Sequence, residues 1–238
     1  MLLKIGYIAL GLLMSIIIIF ISFYTINSTY KERNENISIK IKVVLGLLLW
    51  HGYMLALHFL GTLNTFAFPP RFAIFMIIPA FLFTGIFIFK NRNSQWIQNI
   101  PMHWLVFYQS FRIAIESLFV FTVAAGILHP NVTIEGYNYD MLFGLTALWF
   151  GVAAFRNKLS LKIIRNWNYL GLAIIGVIIF LFLTTIYVPQ LYGLTGPLMP
   201  LEFTNYPFIL VPGFLMPSAV FVHVLSIVQL RKRQSVHK

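Results

Sequence analysis

The 238-residue chain contains no cysteine, which excludes disulfides, thiol chemistry and thiolate metal sites. Charge is scarce as well: 10% of the residues are charged and only six are acidic. A soluble domain carries about 25% charged residues, and without them a water-facing surface cannot be covered. No Walker-type phosphate loop, GxSxG elbow or HExxH helix occurs. The last apolar stretch has no lysine, so a retinal Schiff base there is excluded. Arginine does not repeat along any stretch, which excludes a voltage sensor.

What the chain has instead is apolar side chains, at 59% of its residues, with 17% aromatic. Bilayer is the solvent that tolerates this composition. Seven apolar stretches follow one another, over residues 3–26, 43–63, 72–89, 101–128, 141–155, 167–188 and 208–230. Most reach the roughly 20 residues that cross a hydrocarbon core about 30 Å thick. The fifth does so only if Asp140 or Arg156 lies near an interface. Connections are short, so residues 1–238 read as a single transmembrane domain: an all-α, integral membrane bundle of seven transmembrane helices. The first stretch is too long for a cleaved signal peptide, and no small-residue cleavage site precedes Tyr30-Lys31-Glu32-Arg33.

A net charge of +11 invites a nucleic-acid reading, but the basic residues cluster at the ends of apolar spans. There they act as topology signals and headgroup contacts, so the partner is the lipid bilayer and not nucleic acid. Of the 17 lysines and arginines, the first, third and fifth connections and the C-terminal tail hold all but three. Lys4 and Arg71 fall on the other side, and Arg112 lies inside a span. This alternation predicts the N-terminus outside and the C-terminus in the cytoplasm, in a plasma or inner membrane.

The fourth span carries a polar stripe. Gln109, Arg112 and Glu116 share one helical face, and Arg112 and Glu116 are four apart, close enough to pair. Arginine at mid-span costs about 2.5–3.5 kcal/mol on insertion scales, so the stripe is expected to face other helices or a water-filled cavity. Arg112 is the candidate to hold an anionic or polar group, Glu116 to orient it or exchange a proton, and Gln109 to add a directional hydrogen bond. Glu116 is the only carboxylate within the seven stretches, which leaves no carboxylate dyad there.

His51 and His58 share a face of the second span, about 10 Å apart along it, too far for one metal ion. His223 lies at a depth comparable to His51 and Gln109, which makes His51 with His223 the candidate ligand pair for a haem or metal. His103 sits near one mouth of the fourth span, while His129 and His237 read as loop and tail residues. Pro212 and Pro217, beside Gly213 and Ser218, predict a helix kink in the last span that lines a site. Pro79-Ala80-Phe81-Leu82 in the third span resembles Pro212-Gly213-Phe214-Leu215 in the last, the positions expected of a three-helix repeat joined by a linker helix. The sixth connection, rich in Gly, Pro and Tyr (Tyr192, Gly193, Gly196, Pro197, Pro200, Tyr206), is a candidate lid.

These features point to a transporter or ligand-binding membrane protein. Its polar intramembrane site for a small molecule or ion is lined by Arg112, Glu116, Gln109 and His51, with the Pro212–Pro217 kink in its wall. The alternatives are a membrane-embedded enzyme or haem- or metal-binding subunit using the histidines, and a structural or accessory subunit of a membrane complex.

Overall fold

A computed structural model describes residues 1–195 and 199–236. Gly196, Pro197 and His237 lie outside the described residues. Most of the described chain is helical, and no strand occurs among the described residues. Long helices are what the composition demands, because a backbone surrounded by apolar side chains must bond to itself.

The elements are α1 (Leu2–Thr29), α2 (Arg33–Phe59), α3 (Ile78–Asn91), α4 (Gln95–Asn99), α5 (Met102–Tyr108), α6 (Phe111–Ala124), α7 (Asp140–Phe155), α8 (Leu161–Tyr187) and α9 (Met216–Val236). Wide π turns, Ala73–Ile77 and Val211–Leu215, lead into α3 and α9. Counting α5–α6 as one span and joining each π turn to its helix, six helices among the described residues are long and apolar enough to cross a membrane. The seventh candidate, α7, is the short one. The spans at α5–α6 and α9 are the most buried and α2 the least, so the former two form the centre of the bundle.

Three differences from the sequence expectation have a clear physical reason. Helix α2 starts ten residues early, at Arg33, because the polar segment before residue 43 also bonds helically. There Asn36 Nδ2 donates to the carbonyls of Ile26 and Tyr30, and Lys40 Nζ reaches Asn27 at 2.6 Å, tying α2 back onto α1. The fourth span is not one regular helix. At Gln109 and Ser110 the backbone tightens to i→i−3 bonds, and α6 resumes at Phe111. Third, α6 stops at Ala124 because Gly126 takes a left-handed turn at φ 70°.

The last boundary explains α7. Gly144 abuts Arg112 and Ile113, and Gly151 abuts Phe107, with no room for a Cβ at either. Helix α7 therefore lies beside α5 and the first half of α6, and its N-terminus is level with Arg112 rather than at the end of α6. Residues 125–139 fold back beside the second half of α6 as a self-bonded loop, with Val132, Thr133 and Asn138 buried.

The two π turns share one cause. Pro79 and Pro217 each occupy the second residue of the α-helical segment that follows a π turn. Each deprives the carbonyl four residues earlier of its usual donor. Both carbonyls are supplied by α2: Tyr53 Oη donates to Phe75 O at 2.9 Å, and Trp50 Nε1 donates to Gly213 O at 2.8 Å. The turns cross where Met76 packs into the space a Cβ on Gly213 would need. The equivalent prolines are thus Pro79 and Pro217, not the Pro79 and Pro212 that the four-residue match pairs.

Candidate functional site

The centre of the bundle holds a connected polar cluster. Arg112 is 1% exposed, and all three guanidinium nitrogens are engaged. Nε donates to Gln109 Oε1 at 3.2 Å, Nη1 to Asp140 Oδ1 at 2.6 Å and Nη2 to His223 Nε2 at 2.9 Å. Gln109 in turn donates from Nε2 to Ala219 O at 3.1 Å, so the break between α5 and α6 is fastened to α9. The face of Phe143 lies 4.8 Å from the Arg112 guanidinium carbon, and Trp167 stacks on the Phe143 ring. A buried arginine is sustained by these partners, one of them a carboxylate.

Arg112 therefore pairs with Asp140, and not with Glu116 as their spacing suggested. Asp140 begins α7, where the helix N-terminus further favours its negative charge. Asn138 holds this corner: its Oδ1 accepts from Asp140 N at 2.9 Å, and its Nδ2 donates to Val132 O and, at 2.6 Å, to Glu116 Oε1. Glu116 is 1% exposed, and while the Ile134 backbone amide adds a favourable contact to the carboxylate, Oε2 closes no hydrogen bond. Two carboxylates, Glu116 and Asp140, thus stand beside one arginine.

Asp140, Asn138 and Asn168 are the cluster residues that sequence reasoning missed. Asn168 Oδ1 lies 2.8 Å from His223 Nδ1, and Asn168 Nδ2 donates to Ile164 O. Room for His223 exists because Gly171 faces it: an added Cβ would stand 2.4 Å from the ring.

The cluster sits at the edge of a cavity. Its enclosed part is about 80 Å³, within about 920 Å³ of space that includes its open mouth. Arg112, Glu116 and Asp140 line one end, and the remainder is walled by apolar side chains such as Phe111, Ile115, Ile175, Ile179 and Phe182. The kink contributes Pro212. From the sixth connection, Phe203 and Thr204 close part of the wall, with Phe203 stacked between Phe182 and Phe208. A second cavity of about 280 Å³ lies toward the opposite end of the bundle, bounded by Thr25, Tyr30, Asn91, Trp96 and Tyr108. Tyr108 reaches only the second cavity and Phe111 only the first. Between the two cavities, the Tyr108 hydroxyl donates to Ser218 Oγ at 2.7 Å.

Of the residues singled out from sequence, the structure brings together Arg112, Gln109, Glu116 and His223. His51 is elsewhere: its Nδ1 is 3.0 Å from Leu47 O, its Nε2 is 3.5 Å from Ser15 Oγ, and its ring packs on Phe214. Pro217 is absent from the cavity wall, where Met216 stands. His51 and His223 share no contact residue, and among the described residues no group of three metal-ligating side chains converges. Compared with protein-family models, curated proteins and solved structures, the chain matches none.

Proposed function

We propose that this multi-pass membrane protein binds and transports a small molecule or ion through the site at Arg112. In this reading α7 completes a seventh crossing with the help of the folded-back 125–139 loop. The bias of lysine and arginine puts the N-terminus outside and the C-terminus in the cytoplasm of a plasma or inner membrane. The first cavity then opens outward and the second faces the cytoplasmic half.

The observation that carries the reading is the position of the cluster. Arg112, Asp140 and Glu116 are buried at mid-span and at the same time form the end wall of a cavity. Ionisable groups inside a membrane are costly and mark ligand or ion paths. A broken helix beside them, as at Gln109–Ser110, is the device by which transporters build such sites. The second cavity, separated from the first by Tyr108 and Ser218, supports passage over simple binding.

The test is purification from the native membrane into lipid nanodiscs, followed by mass spectrometry of small molecules that accompany the wild type and Arg112→Gln. A compound held stoichiometrically by the wild type and lost in the folded variant supports the reading. If neither protein carries a compound and the variant is only less stable, the cluster is a structural fastening and the reading fails.

A further inference from the structure

We infer that the ligand of the first cavity is a long apolar molecule with a hydrogen-donating head, an alkylammonium in particular, received by Glu116. This rests on the proposed function and specifies the chemistry of its ligand. It departs from the sequence expectation that Arg112 holds an anion.

Three observations lead there. First, Arg112 is already committed: each guanidinium nitrogen has a partner, and Asp140 balances its charge at 2.6 Å. An incoming anion would have to displace one of these partners and approach two carboxylates. Second, the cluster holds an unmet acceptor. Glu116 is buried and lines the cavity, yet Oε2 has no hydrogen-bond partner while Oε1 is held by Asn138. An orphaned buried acceptor is the costly state that a donating ligand relieves. When both acids are ionised they outnumber the one arginine, and a cationic head then neutralises the end wall, a buried unpaired charge being the arrangement proteins avoid.

Third, the rest of the wall excludes a small polar ligand. Beyond the three ionisable groups and Thr204, the lining is aromatic and aliphatic, supplied by α6, α8, the Val211–Leu215 turn and the segment after α2. The cavity is small, about 80 Å³, with an open mouth, and walls of this composition reward a slim apolar body. The same head chemistry is carried by a free alkylamine and by an aminolipid headgroup.

The experiment uses purified full-length protein in phosphatidylcholine nanodiscs, with empty nanodiscs subtracted. Probes are n-decylamine, 1-decanol and decanoate. Saturable binding is expected for decylamine, weaker binding for decanol and none for decanoate. Glu116→Gln is expected to weaken decylamine at least tenfold. Ile179→Trp, which fills the apolar wall and leaves the cluster untouched, is expected to weaken both binding probes. Phosphatidylethanolamine in the discs lowers the apparent decylamine affinity if an aminolipid is the source, and leaves it unchanged if the source is a free amine. Tighter binding of decanoate, lost in Arg112→Lys, overturns the alkylammonium assignment while leaving a ligand site in place. No saturable decylamine binding, or binding indifferent to Glu116→Gln, also overturns it. The compound found or missed with the native protein separately decides whether the site binds anything.

Discussion

Arg112 Nη2 donates to His223 Nε2 across 2.9 Å, and because an arginine has no acceptor the direction is fixed. His223 Nε2 must therefore be unprotonated, the proton must sit on Nδ1, and Nδ1 donates to Asn168 Oδ1. Asn168 completes the relay by donating to Ile164 O. A neutral imidazole in one tautomer is the expected state, set by its neighbours on both sides.

This relay can be tested by ¹⁵N NMR of histidine-labelled protein. The His223 resonances are expected to show a bare Nε2 and a protonated Nδ1. Asn168→Leu removes the acceptor and leaves that N–H buried without a partner, at about 1–3 kcal/mol of stability. A doubly protonated ring in the wild type contradicts the arrangement.

The two carboxylates are expected to differ sharply. Asp140→Asn leaves Arg112 buried without its counter-charge, the case in which breaking a pair costs about 3–5 kcal/mol. Glu116→Gln keeps an oxygen for Asn138 to donate to and leaves only an amide nitrogen without an acceptor, so its cost should be smaller, about 1–3 kcal/mol. Thermal unfolding of the two variants in the same detergent checks the order. Equal losses would mean that Arg112 divides its charge between both acids.

What the sequence made legible follows from which residues obey local rules. An arginine within an apolar run has nowhere to go but inward, so the burial of Arg112, and of Gln109 and Glu116 on its face, is readable from spacing. Its true partner is not. Asp140 reads as an interface residue because it stands at the start of a short span. Its depth depends on the 125–139 loop folding back against α6, which is a tertiary event. Asn138 and Asn168 carry no local signal at all. His51 shares a nominal depth with His223, but depth along a helix does not say which neighbour the helix packs against. The kink was legible from Pro212 and Pro217, whereas the wide turn and its partner in α3 required knowing that α2 supplies donors to both.

That supply is itself testable. Trp50 and Tyr53 stand one turn apart on α2, with ring centroids 5.4 Å apart, and each donates to a carbonyl that a proline four residues later has left open. Lipid offers no replacement donor. Trp50→Phe and Tyr53→Phe are each expected to cost about 1–3 kcal/mol, the penalty of an acceptor left without a donor against protein or lipid. Restoring an ordinary helix should relieve it: in Pro217→Ala, Trp50→Phe is expected to cost clearly less. A double-mutant cycle in thermal or denaturant unfolding reads this coupling. Additive effects would mean that Trp50 stabilises α9 by packing alone.

The absence of cysteine makes the two cavities directly addressable, because every introduced thiol is the only one. Thr204 lines the first cavity and Thr25 the second, and cysteine is a close replacement in size at both. If the cavities open to opposite faces, Thr204→Cys is modified by a charged, membrane-impermeant thiosulfonate added to intact cells, and Thr25→Cys only after permeabilisation. Tyr137→Cys and Lys158→Cys, exposed in the connections before and after α7, set the reference for each face. Tyr137 is expected to react from outside and Lys158 from inside, which also requires α7 to cross. Reaction of Tyr137→Cys and Lys158→Cys from one side would remove α7 from the count of crossings. Reaction of both threonine positions from one side would make the cavities two pockets of one vestibule, and passage between them by way of Tyr108 and Ser218 would no longer follow.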